Sequence, residues 1–274
     1  MTDMLTQLGK IVRSIAQQEV MPRYLKVAHS RKSDGSLFTD ADLSCQNALT
    51  TNLRHLIDCP VLGEEMTEAE QQEVWRTGQE GLWCIDPIDG TSNFVNGIPY
   101  FAVSVAYMRH GKSVFGVVYN PVNDELFSAE RGQGAWLNGE TLPISRHQHG
   151  LSHALAGVEF KRVPPAISAA IATRPPFSSR RNFGASTLDW CYVAAGRIDA
   201  YLHGGQKLWD YAAGCLILEQ AGGYCRTLTH ADFWADDPWQ RSVIAALDQP
   251  VFQEWCAWLE HVQNTTPSTP ATHE

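Results

Sequence analysis

No apolar run in this 274-residue chain reaches the roughly 18 residues that a membrane-spanning helix needs, so no transmembrane segment is expected. Positive charge is in short supply. Against 30 Asp and Glu stand 21 Lys and Arg, a net charge of −9, which argues against direct binding to nucleic acid or to an anionic membrane. The seven cysteines are odd in number and include no C-x-x-C pair, a pattern of reduced thiols rather than of a disulfide framework. Met1-Thr2-Asp3-Met4 lacks the basic start and apolar core of a secretory signal, so a cytoplasmic location is the expectation. No G-x-x-x-x-G-K-[ST] run is present, which excludes a P-loop, and no G-x-S-x-G elbow. Gly132-Gln133-Gly134 has Leu137 where a dinucleotide fingerprint needs its third glycine. What remains is 44% hydrophobic and 19% charged, the balance of an ordinary globular protein with a sizeable core. The nine tryptophans fit core packing better than a base-stacking platform.

Carboxylates stand at the ends of apolar elements. Trp83-Cys84-Ile85-Asp86-Pro87-Ile88-Asp89-Gly90-Thr91 sets two of them in a tight turn after a strand-like run. A residue before proline is held extended, and this predicts that the strand ends at Asp86. Pro87 and Gly90 suit a turn, and Thr91-Ser92-Asn93 suits the start of a short helix. Carboxylates so close repel one another unless a cation lies between them, and hard oxygen ligands suit Mg²⁺. Free N–H groups at a helix start suit a phosphate. Asp-Pro and Asp-Gly are also ordinary turn pairs, so the segment alone leaves a plain surface turn open. Two further acidic features weigh against that. Val61-Leu62-Gly63 runs into Glu64-Glu65, and Asp210 sits in the first turn of a helical stretch that starts at Leu208 and that Gly222-Gly223 stops. For Asp210 the simpler reading is a helix cap.

Periodicity gives an alternating α/β pattern. Leu5, Leu8, Val12 and Ile15 keep helical spacing, and Thr39 to Asp42 resembles a capping box before a helix bearing Leu49, Leu53 and Leu56. Thr67 to Glu70 offers a further cap. Segment 30–36 reads as a mobile polar loop. Residues 101–108 and 113–119 form a hairpin, 126–129 and 135–137 extend it, and Asn138-Gly139 is a turn. Helices are expected over 163–173, 186–195 and 251–262, and strands over 199–202 and 242–247. With no repeat and no flexible linker, residues 1–263 read as one domain of two intimately packed halves, about 1–145 and 146–263. Residues 264–274 read as a disordered tail.

In their order along the chain, Gly63-Glu64-Glu65, Asp86-Pro87-Ile88-Asp89-Gly90-Thr91-Ser92-Asn93-Phe94, and Trp209-Asp210 with Ala221-Gly222-Gly223 resemble the inositol monophosphatase family of lithium-sensitive, Mg²⁺-dependent phosphatases. Val193-Ala194-Ala195-Gly196-Arg197-Ile198-Asp199-Ala200 extends the resemblance, which covers almost the whole chain. It implies a layered α-β-α-β-α sandwich of the inositol monophosphatase and fructose-1,6-bisphosphatase type, and a homodimer.

The resemblance also implies roles. Glu64, Asp86 and the carbonyl of Ile88 would hold one Mg²⁺, and Asp86, Asp89 and Asp210 a second. A third, weaker ion would use Glu64 and water. Thr91, hydrogen-bonded to Asp42, would activate the attacking water together with Glu64. Asp89, Gly90, Thr91, Ser186, His203 and Asp210 would contact a small phosphorylated metabolite, and Lys32, ten positions before Asp42, would approach the metals on its mobile loop. His203 stands seven residues before Asp210, where inositol-handling members commonly carry a glutamate; an imidazole there can donate, accept or carry charge. Ser92-Asn93-Phe94 favours the inositol or sugar-phosphate branch over members that act on 3′-phosphoadenosine 5′-phosphate. Fructose-1,6-bisphosphate, a nucleotide, or a regulatory protein-binding role stay open.

Overall fold

The computed structural model describes residues 2–26, 29–31, 37–145, 149–235 and 237–265. Thr2 caps helix α1 (Asp3–Ile15), whose Leu5, Leu8, Val12 and Ile15 are all buried. The chain runs on through a π-helical turn, Ala16–Val20. Strands β1 (His29–Arg31) and β2 (Leu37–Thr39) pair antiparallel, so Ser30 and Arg31, expected in a loop, belong to a strand. Residues 32–36 of that loop lie outside the described residues, as do residues 266–274 of the expected tail, whose first two residues, Asn264 and Thr265, instead end the last helix. Thr39 and Asp42 close the foreseen capping box on α2 (Asp40–Leu56).

A seven-stranded sheet follows the order β3 (Val61–Gly63), β4 (Leu82–Asp89), β5 (Ala102–Arg109), β6 (Lys112–Asn120), β7 (Glu125–Glu130), β8 (Gly134–Leu137), β9 (Glu140–Thr141). Helix α3 (Glu68–Thr77), opened by the Thr67–Glu70 capping box, crosses from β3 to its parallel partner β4. A short α4 (Thr91–Asn96) follows β4. The second half supplies β10 (Leu155–Glu159), α5 (Pro165–Thr173), β11 (Ser179–Arg181), α6 (Ser186–Ala194), β12 (Ala200–Gln206), α7 (Leu208–Gln220), β13 (Tyr224–Arg226), β14 (Arg241–Ala246) and α8 (Gln249–Thr265). Its five-stranded sheet has the order β11-β10-β12-β14-β13.

These pieces stack as α-β-α-β-α. Helices α1 and α2 bury Leu8, Leu49 and Leu53 against Trp83, Ile85, Val103 and Tyr119 on one face of the large sheet. Its other face packs on α6 and α7, which also cover Tyr201, Val243 and Ala245 of the small sheet. Helices α5 and α8 close the far side through Ile167, Trp255 and Leu259. The strand expected to end at Asp86 runs on to Asp89, with a register shift between these residues. Extended backbone before Pro87 is strand backbone, and the missing proline N–H is absorbed where the ladder is already irregular. Strands β10, β11 and β13 escaped the periodicity reading because they are short, and β11 and β13 are half-exposed edge strands.

Helices α6 and α7 meet at a glycine. A Cβ on Gly214 would stand 2.5 Å from the Cβ of Trp190. Gly214→Val is expected to force the two central helices apart and cost about 2–3 kcal/mol. Denaturant unfolding measures this, and an unchanged midpoint would show that the helices are not in contact there.

Candidate active site

Strand pairing places the acidic residues. Gly63, the last residue of β3, pairs with Ile85, and the N–H of Glu64 donates to the Ile85 carbonyl at 3.3 Å. Glu64 thus leaves the sheet beside Asp86, and the two side chains stand within hydrogen-bonding reach. The irregular turn of β4 brings Asp89 back alongside, and α7 delivers Asp210 from the other half of the chain. Carboxylate oxygens of Asp86, Asp89 and Asp210 lie within 4.8 Å of one another.

Each carboxylate is aimed by a backbone donor. Asp86 Oδ1 accepts the Ile88 N–H at 3.1 Å. Asp89 Oδ2 accepts from Thr187 twice, from N–H at 2.7 Å and from the hydroxyl at 2.6 Å, with the Ser186 N–H beside them. Asp210 Oδ2 accepts the Lys207 N–H at 2.8 Å, so the residue is both a helix cap and a member of the cluster.

Asp86 is 1% exposed. Burial, then the charges of Glu64, Asp89 and Asp210, hold its pKa well above the carboxylate range. Burial pushes Asp89 up to about 6 despite the pull of the Thr187 hydrogen bonds. Asp210 is likewise raised well above its ordinary value, by burial and then by Asp89. An all-oxygen donor set whose members oppose one another's ionisation fits a hard divalent cation. Glu64, Asp86, Asp89, Asp210 and the Ile88 carbonyl are the groups that would hold it.

Next to this cluster the chain turns through Gly90 at φ 86° into α4. A Cβ there would stand 3.0 Å from the Cβ of Ala185 and 3.2 Å from the carbonyl oxygens of Gly184 and Tyr100, so conformation and space both require glycine. Asn93 fastens the same junction, its Nδ2 donating to the carbonyls of Tyr100 and Phe183, each at 2.7 Å.

Two assignments change. The Thr91 hydroxyl donates to the Ile88 carbonyl at 3.0 Å, while Asp42 Oδ2 accepts the N–H and hydroxyl of Thr39 at 2.8 and 2.5 Å. Thr91 is the first residue of α4 and reaches back three residues, and Asp42 closes the capping box of α2, so the structure does not pair them. His203 is 8% exposed, accepts the Gly205 N–H at Nδ1, and burial lowers its pKa to about 4. The ring is therefore neutral near pH 7 and carries its proton on Nε2, so the charged imidazole considered from sequence is not what the fold provides. Thr187 is fully buried and positions Asp89. Ser186 and His203 do line a cleft of about 190 Å³ together with Asp89, Asp210, Glu159 and Arg162. Lys32 lies outside the described residues.

Two residues had no sequence signal. Gln46 accepts the Glu65 N–H at 3.1 Å, and Gln71 donates to the carbonyls of Gly63 and Glu64 at 3.0 and 3.2 Å. Buried glutamines at ordinary helix positions look no different in sequence from solvated ones.

The family described as the inositol monophosphatase family matches residues 1–264. Inositol monophosphatase 1 of Bos taurus is 31% identical over 248 residues, 88% of this chain and 85% of that protein. The protein named Nus factor SuhB of Pasteurella multocida is 36% identical over 197 residues, 70% of this chain and 72% of its own. Among solved structures, the IMPase of Thermotoga maritima superimposes with a TM-score of 0.82 at 26% identity, covering 96% of this chain and 99% of that one. No helix among the described residues is long and apolar enough to cross a membrane.

In chelator, folded Asp89 keeps its proton to about pH 6, whereas an unfolded aspartate loses it near pH 4. The folded state binds the extra proton between these values, so this contribution to stability is present at low pH and is lost as pH rises through about 6. Asp89→Asn is expected to be more stable than wild type by on the order of 2 kcal/mol above that pH, with the difference vanishing near pH 4. Thermal melts across this range test it. A pH-independent difference would contradict the buried, uncompensated carboxylate.

Proposed function

The chain belongs to the inositol monophosphatase family, and on that premise we propose that it is a Mg²⁺-dependent hydrolase of a small soluble phosphate monoester such as inositol monophosphate or a related sugar phosphate. The observation that carries this reading is the convergence of Asp86, Asp89 and Asp210, with Asp89 and Asp210 lining a cleft and Asp86 buried. Mg²⁺ held there would polarise the phosphate and lower the pKa of a bound water. The protein's own part is positional. Asp86, pinned by the Ile88 amide, is the carboxylate central enough to bridge two ions. Thr187 and Lys207 fix Asp89 and Asp210 so that the site is rigid before substrate arrives. The first amides of α4 have no partner within their own helix and suit phosphate oxygens. His203, neutral, offers an Nε2–H donor to a hydroxyl of the leaving group.

A second reading rests on the relatives named Nus factor SuhB, which favour a regulatory role through protein contacts. The two readings separate at Asp86. With chelator-stripped protein and added Mg²⁺, phosphate release is measured on inositol 1-phosphate, fructose 1,6-bisphosphate and a nucleotide 3′-phosphate. Asp86→Asn is expected to lower kcat at least roughly 1000-fold on the preferred ester while the circular dichroism spectrum is retained. Activity surviving in that variant or in excess chelator would refute the metal-dependent hydrolase. Absence of activity on every ester, with partner binding intact, would favour the regulatory role.

A further inference from the structure

Among the described residues a second group of metal-ligating side chains exists, chemically unlike the first: Cys215, Glu219 and Cys225. Cys215 and Glu219 stand one turn apart on the same face of α7. The chain then reverses through Gly222, at φ 84°, with the Gly223 N–H bonded to the Leu218 carbonyl at 2.9 Å. This hairpin-like return sets Cys225 of the edge strand β13 against Cys215, with the sulfur atoms 3.7 Å apart. Cys215 Sγ is 3.6 Å from Glu219 Oε1.

We propose that Cys215, Cys225 and Glu219 form a binding site for a thiophilic divalent cation of the Zn²⁺ type, separate from the acidic cluster. The distances fit such an ion. With Zn–S near 2.3 Å and Zn–O near 2.1 Å, a tetrahedral ion separates two sulfurs by about 3.8 Å and a sulfur from an oxygen by about 3.6 Å. The observed 3.7 and 3.6 Å match two of the three edges, and all three ligand atoms lie within 4.8 Å of one another. Neighbouring side chains hold Glu219 in place. Trp234 Nε1–H donates to the same Oε1 at 2.7 Å, and Arg131 pairs with Oε2 at 3.1 Å. Two thiolates and one carboxylate carry three negative charges, which one divalent ion and the Arg131 guanidinium bring to zero. Cys215 is buried and Cys225 half-buried, and a water would complete the shell of such an ion. Binding forms two sulfur–metal bonds and releases the two thiol protons, with no change of oxidation state. The ion would clasp α7 to β13, with Cys215 about 7 Å along the helix from Asp210 in its first turn.

Full-length, reduced, chelator-stripped protein titrated with Co²⁺ and Zn²⁺ provides the test. Cobalt at this site gives a near-ultraviolet thiolate-to-metal band, which the all-oxygen cluster cannot give. The band is expected to persist in Asp86→Asn and to vanish in Cys225→Ser, with Zn²⁺ affinity at this site falling more than roughly 100-fold. In the wild type, Zn²⁺ should protect the half-buried Cys225 thiol from iodoacetamide, a readout that needs no variant to fold. Absence of the band, its survival in Cys225→Ser, equal alkylation with and without Zn²⁺, or isolation of the pair as a disulfide would each overturn the proposal.

Discussion

Like charges confined out of water govern this molecule. Asp86 is almost wholly buried, and Glu64, Asp89 and Asp210 crowd around it. Three aspartates in such a place cannot all ionise without cations, and their raised pKa values express that demand. A fold that merely tolerated them would relax by turning them toward solvent. Here the irregular β4 turn, the Thr187 donors and the Lys207 amide hold all three inward.

The arrangement draws on both halves of the chain. Glu64, Asp86 and Asp89 come from the C-terminal ends of β3 and β4 in the large sheet, Asp210 from a helix sandwiched between the sheets, and Thr187 from its neighbour. The site therefore exists only when the layers are stacked. Asn93, tying α4 to the segment before α6, and Gly90, which leaves room for Ala185, maintain that stacking within reach of the cluster. The same central helix α7 that presents Asp210 at its start ends beside Cys225, so a hard-oxygen site and a sulfur-containing one share one rigid rod.

Much of this was legible in the sequence because it follows local rules. The capping boxes at Thr39 and Thr67, the hairpin around Gly111 and the acidic ends of β3 and β4 obey turn and cap chemistry that needs no tertiary context. The layered fold came from resemblance, since periodicity fits several α/β stackings. What stayed hidden depends on burial. The neutrality of His203, the positioning role of Thr187 and the bracing of Glu64 and Glu65 by Gln46 and Gln71 arise from packing between separate elements. Proline misled at Asp86, because a bulge absorbed the lost hydrogen bond instead of ending the strand.

The central claim is that the buried carboxylates hold cations as a close pair, with Asp86 between them. Electron paramagnetic resonance of Mn²⁺ added to the stripped protein reads this directly, because two manganese ions sharing a carboxylate couple magnetically. The wild type is expected to give a coupled-pair spectrum that collapses to isolated Mn²⁺ in Asp86→Asn. Isolated ions in both proteins, or no bound Mn²⁺ in the wild type, would contradict it.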